Sequence, residues 1–287
     1  MKINILLAIN RKYINHVKVL LYSILESNKK ENFEIFIMHR DLSIIDEEEI
    51  EKFVNQERGK VSFINIEEQQ LKNLPVYQKR YPVEIYFRIF AAQYLPQNID
   101  RILYLDTDTL VINSLKELYS MDFEGNYFIA TTHVGKLLKR FNDVRLDMEK
   151  EDKYINTGVM LMNLEALRKI DMEREIQEFL KNNSLKLILP DQDIISSIFG
   201  EHIKLVDSLL YNFGEREWNK YNAKNITNRI DLKWIRKNTV IIHYYGKNKP
   251  WNEKYIGKLN LFYDKTVEKM KNKEIEKEGI ENGKQTV

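Results

Sequence analysis

The sequence predicts an α/β fold with a mainly parallel central sheet flanked by helices. Its first 66 residues run strand, helix, strand, helix, strand, the order of parallel strands joined by crossover helices. The opening run, residues 2–9, is almost continuously apolar, as in a strand covered on both faces. Later apolar runs at 101–112, 154–164 and 240–245 are short, rich in Val, Ile, Leu and Tyr, and bounded by polar residues, which marks further buried strands.

Each element has its own signal. After strand 2–9, Val17, Leu20, Leu21, Ile24 and Leu25 recur on one helical face. Strands follow at 33–38 and 61–66, separated by a helix through residue 55 that Asp46 and Glu49 open as a capping pair. Pro75 and Pro82 punctuate a loop, and Pro82 suits the first turn of a helix reaching Tyr94, with Ile85, Ile89 and Ala92 inward. Strand 101–112 comes next, then a helix near 114–119 and a strand at 127–131. Residues 135–153 are polar and weakly periodic and read as a loop, of the kind that covers a site. Strand 154–164 precedes a helix over 165–181, and Pro190 opens another with Asp191 and Asp193 in its first turn, where the helix dipole favours negative charge. The division expected is a catalytic domain over 1–263 and a Lys- and Glu-rich helix or tail over 264–287.

Composition narrows the function. The 287 residues are 43% hydrophobic and 31% charged, enough for one large α/β domain. The 45 basic and 43 acidic residues leave a net charge of +2, which gives no support for a nucleic-acid partner. There is no cysteine, so disulfides and thiolate metal sites are excluded. The amino-terminal apolar run is too short for a secretory signal and no stretch is long enough to span a bilayer. The expectation is a cytoplasmic protein that can still act at the inner membrane surface.

The chemistry centres on Tyr104-Leu105-Asp106-Thr107-Asp108, at the end of an apolar run. In extended chain Asp106 and Asp108 leave the same face, and two converging carboxylates repel unless a cation lies between them. No glycine pair G-x-G occurs, so nucleotide phosphates must be held by a metal and by side chains rather than by a glycine-rich loop. His243, at the end of another strand, offers an imidazole, and a mixed carboxylate and imidazole set leans to manganese over magnesium. Taken singly, each residue has a plainer structural reading: a satisfied core histidine, helix-start carboxylates, a solvated lysine at 249, rim aromatics at Tyr244, Tyr245 and Trp251. Their joint occurrence carries the functional reading.

That joint occurrence resembles glycosyltransferase family 8. Tyr104-Leu105-Asp106-Thr107-Asp108, Tyr154-Ile155-Asn156-Thr157-Gly158-Val159, Asp191-Gln192-Asp193 and the stretch from His243 through Gly246 and Lys249 to Trp251 stand in that family's order and rough spacing, over residues 1 to about 263. The resemblance, nearest to the bacterial lipopolysaccharide galactosyl- and glucosyltransferases, implies a GT-A nucleotide-diphospho-sugar transferase fold. It also implies retaining transfer of glucose or galactose from a UDP-sugar to a glycan, glycolipid or glycoprotein hydroxyl. By the same resemblance Asp106, Asp108 and His243 match the manganese ligands, with magnesium as the substitute. Gly246 and Lys249 match diphosphate contacts, and Arg88 a residue reaching the donor. Asn156, Asp191 and Gln192 match positions lining the transferred sugar, with Gln192 near the anomeric carbon. Ala8 and Asn10, with Lys12 close by, match positions that meet uracil and ribose. Asn10 stands where relatives often carry an acid, Lys12 where they often carry Asn, and the basic, aromatic tail of some relatives has no counterpart here.

Three alternatives compete. A haloacid-dehalogenase-type phosphatase also places two aspartates after an apolar strand, but wants Thr or Val where this chain has Leu110, and wants the motif near the amino terminus. A sugar nucleotidyltransferase requires a glycine-rich amino-terminal loop. An inactive sugar-nucleotide or glycan-binding module predicts a lost site residue, and Asp106, Asp108, Asn156, Asp191, Gln192 and His243 are all present.

Overall fold

The structure, a computed structural model, describes residues 1–56, 59–67 and 83–284. The loop expected around Pro75 and Pro82 lies outside those residues. The chain begins β1 (Lys2–Ala8), α1 (Ile14–Ser27), β2 (Asn32–His39), α2 (Ile44–Gln56) and β3 (Gly59–Asn65). After a 3-10 segment, Val83–Phe90, come α3 (Ala91–Tyr94), β4 (Arg101–Leu105), β5 (Thr109–Val111), α4 (Lys116–Tyr119), β6 (Phe128–Thr131), α5 (Lys136–Leu146) and β7 (Asn156–Asn163). Then follow α6 (Leu164–Leu167), α7 (Met172–Asn183), α8 (Pro190–Phe199), β8 (Ile203–Leu205), α9 (Ser208–Tyr211), α10 (Glu215–Lys224), α11 (Leu232–Asn238), β9 (Ile241–His243) and α12 (Asn260–Lys284).

Seven strands form the main sheet in the order β3-β2-β1-β4-β7-β6-β8. All neighbours are parallel except where β7 meets β4 and β6, so the sheet is mainly parallel, with one reversed strand. β4 shows why both faces are covered. Ile102 and Tyr104 enter one core with Met160, Ile89 and Ile194, while Leu103 and Leu105 enter the other with Leu20, Ile24 and Leu161. From β1 the chain moves to β2 on one side and returns to β4 on the other, which makes a topological switch point outside their carboxyl ends, where such sheets bind ligands.

Apart from this sheet, β5 and β9 pair antiparallel, with Thr109 opposite His243. They sit over a third core of Leu110, Ile242, Phe213, Trp218, Tyr244 and Leu259. The long α12 adds buried Tyr263 and Met270 to this core and packs on α1, so the charged stretch begins as packed helix.

Several elements depart from the sequence reading, each for a local reason. The strand expected over 101–112 is two strands in two sheets, broken by a turn at Thr107 and Asp108 in which Thr109 N–H donates to the Asp106 carbonyl at 3.1 Å. The cap of α2 is Ser43, whose amide and hydroxyl bond the Asp46 carboxylate at 2.8 and 2.6 Å, so the pair is Ser43–Asp46 rather than Asp46–Glu49. The helix expected up to Tyr94 is mostly 3-10. The helix expected over 165–181 is two, capped separately by Asn163 and Asp171. Residues 136–146, read as loop, are helix α5; apart from Leu146 their apolar side chains face outward, so no inward stripe revealed it.

Candidate active site

The carboxyl end of β4, the amino end of the reversed β7, the start of β5 and the end of β9 meet beside the switch point. Asp106 follows β4 directly, and its amide donates to the Gly158 carbonyl of β7 at 2.8 Å. Asp108 precedes β5, and Tyr244 N–H donates to its carbonyl at 2.9 Å, so pairing in the small sheet sets His243 against it. His243 Nε2 lies 3.1 Å from Asp108 Oδ1 and 3.7 Å from Asp106 Oδ2. One ligand atom from each of these three residues falls within 4.8 Å of the other two, a spacing that fits one cation.

The surroundings fit a metal as well. His243 Nδ1 donates to Asn212 Oδ1 at 2.8 Å, and the Asn212 amide donates to Asn156 Oδ1 at 3.0 Å. This fixes the ring and turns Nε2 to the carboxylates, the outer-shell arrangement typical of metal-binding histidines. Gly158 makes the approach possible: a Cβ there would lie 2.2 Å from His243 Cε1 and 2.7 Å from Asp106 Oδ2.

Charge is balanced from two sides. Arg88 is buried, 2.8 Å from Asp106 and 3.3 Å from Asp191, with its guanidinium 4.3 Å from the centre of the Tyr104 ring. Lys249 Nζ bonds Asp108 and also donates to the Tyr244 carbonyl at 3.0 Å. Burial alone would raise the Asp108 carboxyl, but His243 and Lys249 outweigh it and hold it well below the usual carboxylate range. Asp191 moves the other way: burial raises it, against Arg88 and a 2.6 Å bond from the Thr157 hydroxyl.

Asp106, Asp108, His243, Lys249, Arg88, Asp191 and Asn156 therefore come together as one site. Asn156 accepts with Oδ1 from Asn212 and from Gly158 N–H, leaving its amide nitrogen without a partner among the described residues. Gln192 is half-buried beside Asp191, and its side chain makes no hydrogen bond among the described residues. Gly246 has φ +82°, a left-handed turn that favours glycine, three residues past His243. Ala8 and Asn10 stand at the end of β1, next to β4, outside the metal cluster. Asn10 Oδ1 accepts from Lys12 N–H at 3.2 Å, and Lys12 itself is exposed.

Several residues here had no signal of their own in the sequence. Asn212, fully buried, links His243 to Asn156. Glu84 faces Asn10, and burial raises its carboxyl. His133 donates from Nε2 to the Asn212 carbonyl at 2.8 Å, and its ring lies 5.0 Å from that of Tyr245. Asp193 differs in role from its neighbour Asp191. Fully buried, it takes two bonds from Arg145 at 2.8 and 2.9 Å, one from the Tyr154 hydroxyl at 2.6 Å, and two from backbone amides.

The fold is that of the GT-A class of glycosyltransferases, whose members use a divalent metal and a nucleotide-sugar donor to glycosylate an acceptor. The fold matches, at TM-score 0.79, that of the galactosyltransferase LgtC in complex with donor and acceptor sugar analogues, with 22% identity and coverage of 93% of this chain and 96% of that chain. The chain belongs to glycosyl transferase family 8, matched over residues 4–255. It is 28% identical over 258 residues to a lipopolysaccharide 1,2-glucosyltransferase of Escherichia coli, covering 87% of this chain and 73% of the relative. It is 25% identical over 257 residues to a lipopolysaccharide 1,3-galactosyltransferase of Salmonella typhimurium, covering 88% and 73%. The phosphatase and binding-module alternatives are not favoured. Among the described residues no helix is long and apolar enough to cross a membrane.

Two predictions follow from this geometry. Asp193→Ala strands the Arg145 guanidinium and should lower stability by about 3–5 kcal/mol in urea unfolding; a loss below about 1 kcal/mol would show that the network does not hold α8. Asn212→Ala frees the His243 ring and should weaken divalent-cation binding by roughly 10–100-fold. Titration calorimetry on the folded variant measures this, and an unchanged affinity would remove Asn212 from the support of the site.

Proposed function

We propose that this chain transfers a hexose, glucose or galactose, from UDP to a hydroxyl of a glycan, glycolipid or glycoprotein acceptor, with retention at the anomeric carbon. The observation that carries the reading is the convergence of Asp106, Asp108 and His243 at the switch point, with a lysine beside them. Asp106, Asp108 and His243 Nε2 would hold manganese, with magnesium as the weaker fit to a donor set that includes an imidazole. Bound there, a divalent ion supplies Lewis-acid stabilisation of the departing diphosphate.

The remaining roles belong to the chain's own groups. Lys249 brings a positive charge to the diphosphate, and the Gly246 turn lets backbone approach it without a side chain. Arg88 pairs with Asp106 and Asp191 from behind and sets their position. The unpaired amide of Asn156 and the carboxylate of Asp191 orient sugar hydroxyls. Gln192, free of other bonds, positions the anomeric carbon and stabilises positive charge developing there, without acting as a covalent nucleophile. Ala8 and Asn10 meet the base and ribose, with Lys12 near the ribose; Glu84 beside Asn10 supplies an acidic group at a position where relatives often carry one.

The reading extends to surface glycan or polysaccharide synthesis in the cytoplasm, near the inner membrane surface. The kinship with lipopolysaccharide transferases supports this setting.

The direct test is UDP release without acceptor across a panel of UDP-sugars, with manganese and then with chelator. Chelator-sensitive release from one hexose donor is expected and would name the sugar; inertness toward every donor, with and without acceptor glycans, would overturn the reading. Asp108→Asn should abolish metal-dependent UDP binding while the melting transition persists, and full activity in that variant would exclude the metal assignment. Gln192→Ala should lower kcat far more than UDP affinity, and an effect on affinity alone would show that Gln192 sits at the nucleotide.

A further inference from the structure

Helix α5 is amphipathic in an unusual sense, because its apolar stripe faces solvent. Leu137, Phe141 and Val144 recur at i, i+4 and i+7 and are 84%, 54% and 81% exposed, and Leu138 beside them is half exposed. The opposite face is fixed to the protein by buried Asn142 and Leu146 and by Arg145 on Asp193. Arg145 also donates to the Lys186 carbonyl at 2.6 Å, which brings exposed Leu185 and Ile188 alongside the helix. Six large apolar side chains thus lie uncovered in one region. A patch of this kind on a soluble surface marks an interaction site.

The patch borders the active site. α5 starts three residues after His133, which touches Asn212 and Tyr245, and it is tied near its end to Asp193, two residues from Asp191. Lys136 and Arg140 flank the stripe, exposed and without an acidic partner among the described residues, whereas Lys139 is held by Asp143 and the Lys150 carbonyl. We propose that α5 is an interfacial helix that seats the rim of the active site on an anionic lipid surface.

Shape and charge favour that occupant. One helix of 11 residues, about 16 Å long, presents a convex ridge. A bilayer asks for no complementary groove: an apolar ridge sinks about 5–10 Å into the headgroup boundary, while flanking cations stay among anionic headgroups. Seated this way, the site would face acceptors carried on that surface; this last step rests on the transferase reading, and the lipid contact itself does not.

Co-sedimentation with vesicles, without nucleotide, tests it. The intact chain should bind phosphatidylcholine vesicles containing phosphatidylglycerol more strongly than phosphatidylcholine alone, and less so as salt rises. The double variant Leu137→Asp with Val144→Asp should bind at least about tenfold less, since two apolar anchors are lost. Its melting temperature and its UDP release without acceptor should be unchanged. Lys136→Ala with Arg140→Ala should lose only the preference for phosphatidylglycerol. No vesicle binding by the intact chain, or equal binding by the Asp variant, would overturn the proposal. So would light scattering that shows α5 covered by a second copy. Vesicle binding without UDP release from any donor would uphold the surface and count against the transferase reading instead.

Discussion

Three carboxylates crowd one end of the sheet, and the surrounding structure sets basic side chains against them. Asp106 and Asp108 come from the turn between β4 and β5 and Asp191 from the first turn of α8, and two of the three are largely out of water. Left alone, such a group would bind protons or unfold its own site. Arg88 answers from beneath, shared between Asp106 and Asp191 and lying over Tyr104, while Lys249 and His243 answer from the side of Asp108. The site is thus held near electrical balance, with Asp106, Asp108 and His243 spaced as a cation would need.

The small β5–β9 sheet makes this possible. It takes the chain out of the main sheet just after Asp106 and brings back, some 130 residues later, the strand that ends in His243. Its register places Thr109 opposite His243, so Asp108 and the imidazole meet without help from a flexible loop. Asn212 then ties the imidazole to Asn156 on β7, and Gly158 leaves the space in which ring and carboxylate meet. His243 of the carboxylate cluster and Asn156 on β7 share one hydrogen-bond chain, so a change on one side is felt on the other.

Asp191 and Asp193 show how closely function and support can be interleaved. Both lie in the first turn of α8, two residues apart. Asp191 faces the site through Thr157 and Arg88, whereas Asp193 points into the protein and binds α5 through Arg145. Helix position alone gave both the same helix-start role, and only the family resemblance set Asp191 apart, because helix position is visible in sequence and side-chain direction is not. The same limit hid α5: periodicity finds helices that bury their apolar stripe, and this one turns its stripe outward.

Much was legible in the chain itself. Continuous apolar runs are forced on strands buried on both faces, so the sheet's strands, their alternation with helices and the carboxylate pair after β4 could be placed from residues alone. The motifs at 104–108, 154–159, 191–193 and 243–251 carried the family for the same reason: each is a local pattern at a strand end or helix start. Long-range pairing was not legible. The break at Asp106, the reversed β7, the Thr109–His243 register, the buried Arg88 bridge and the Asn212 link all depend on which distant segments meet. Local patterning records whether a residue faces core or water, while the partner it finds is decided by the packing of the whole chain.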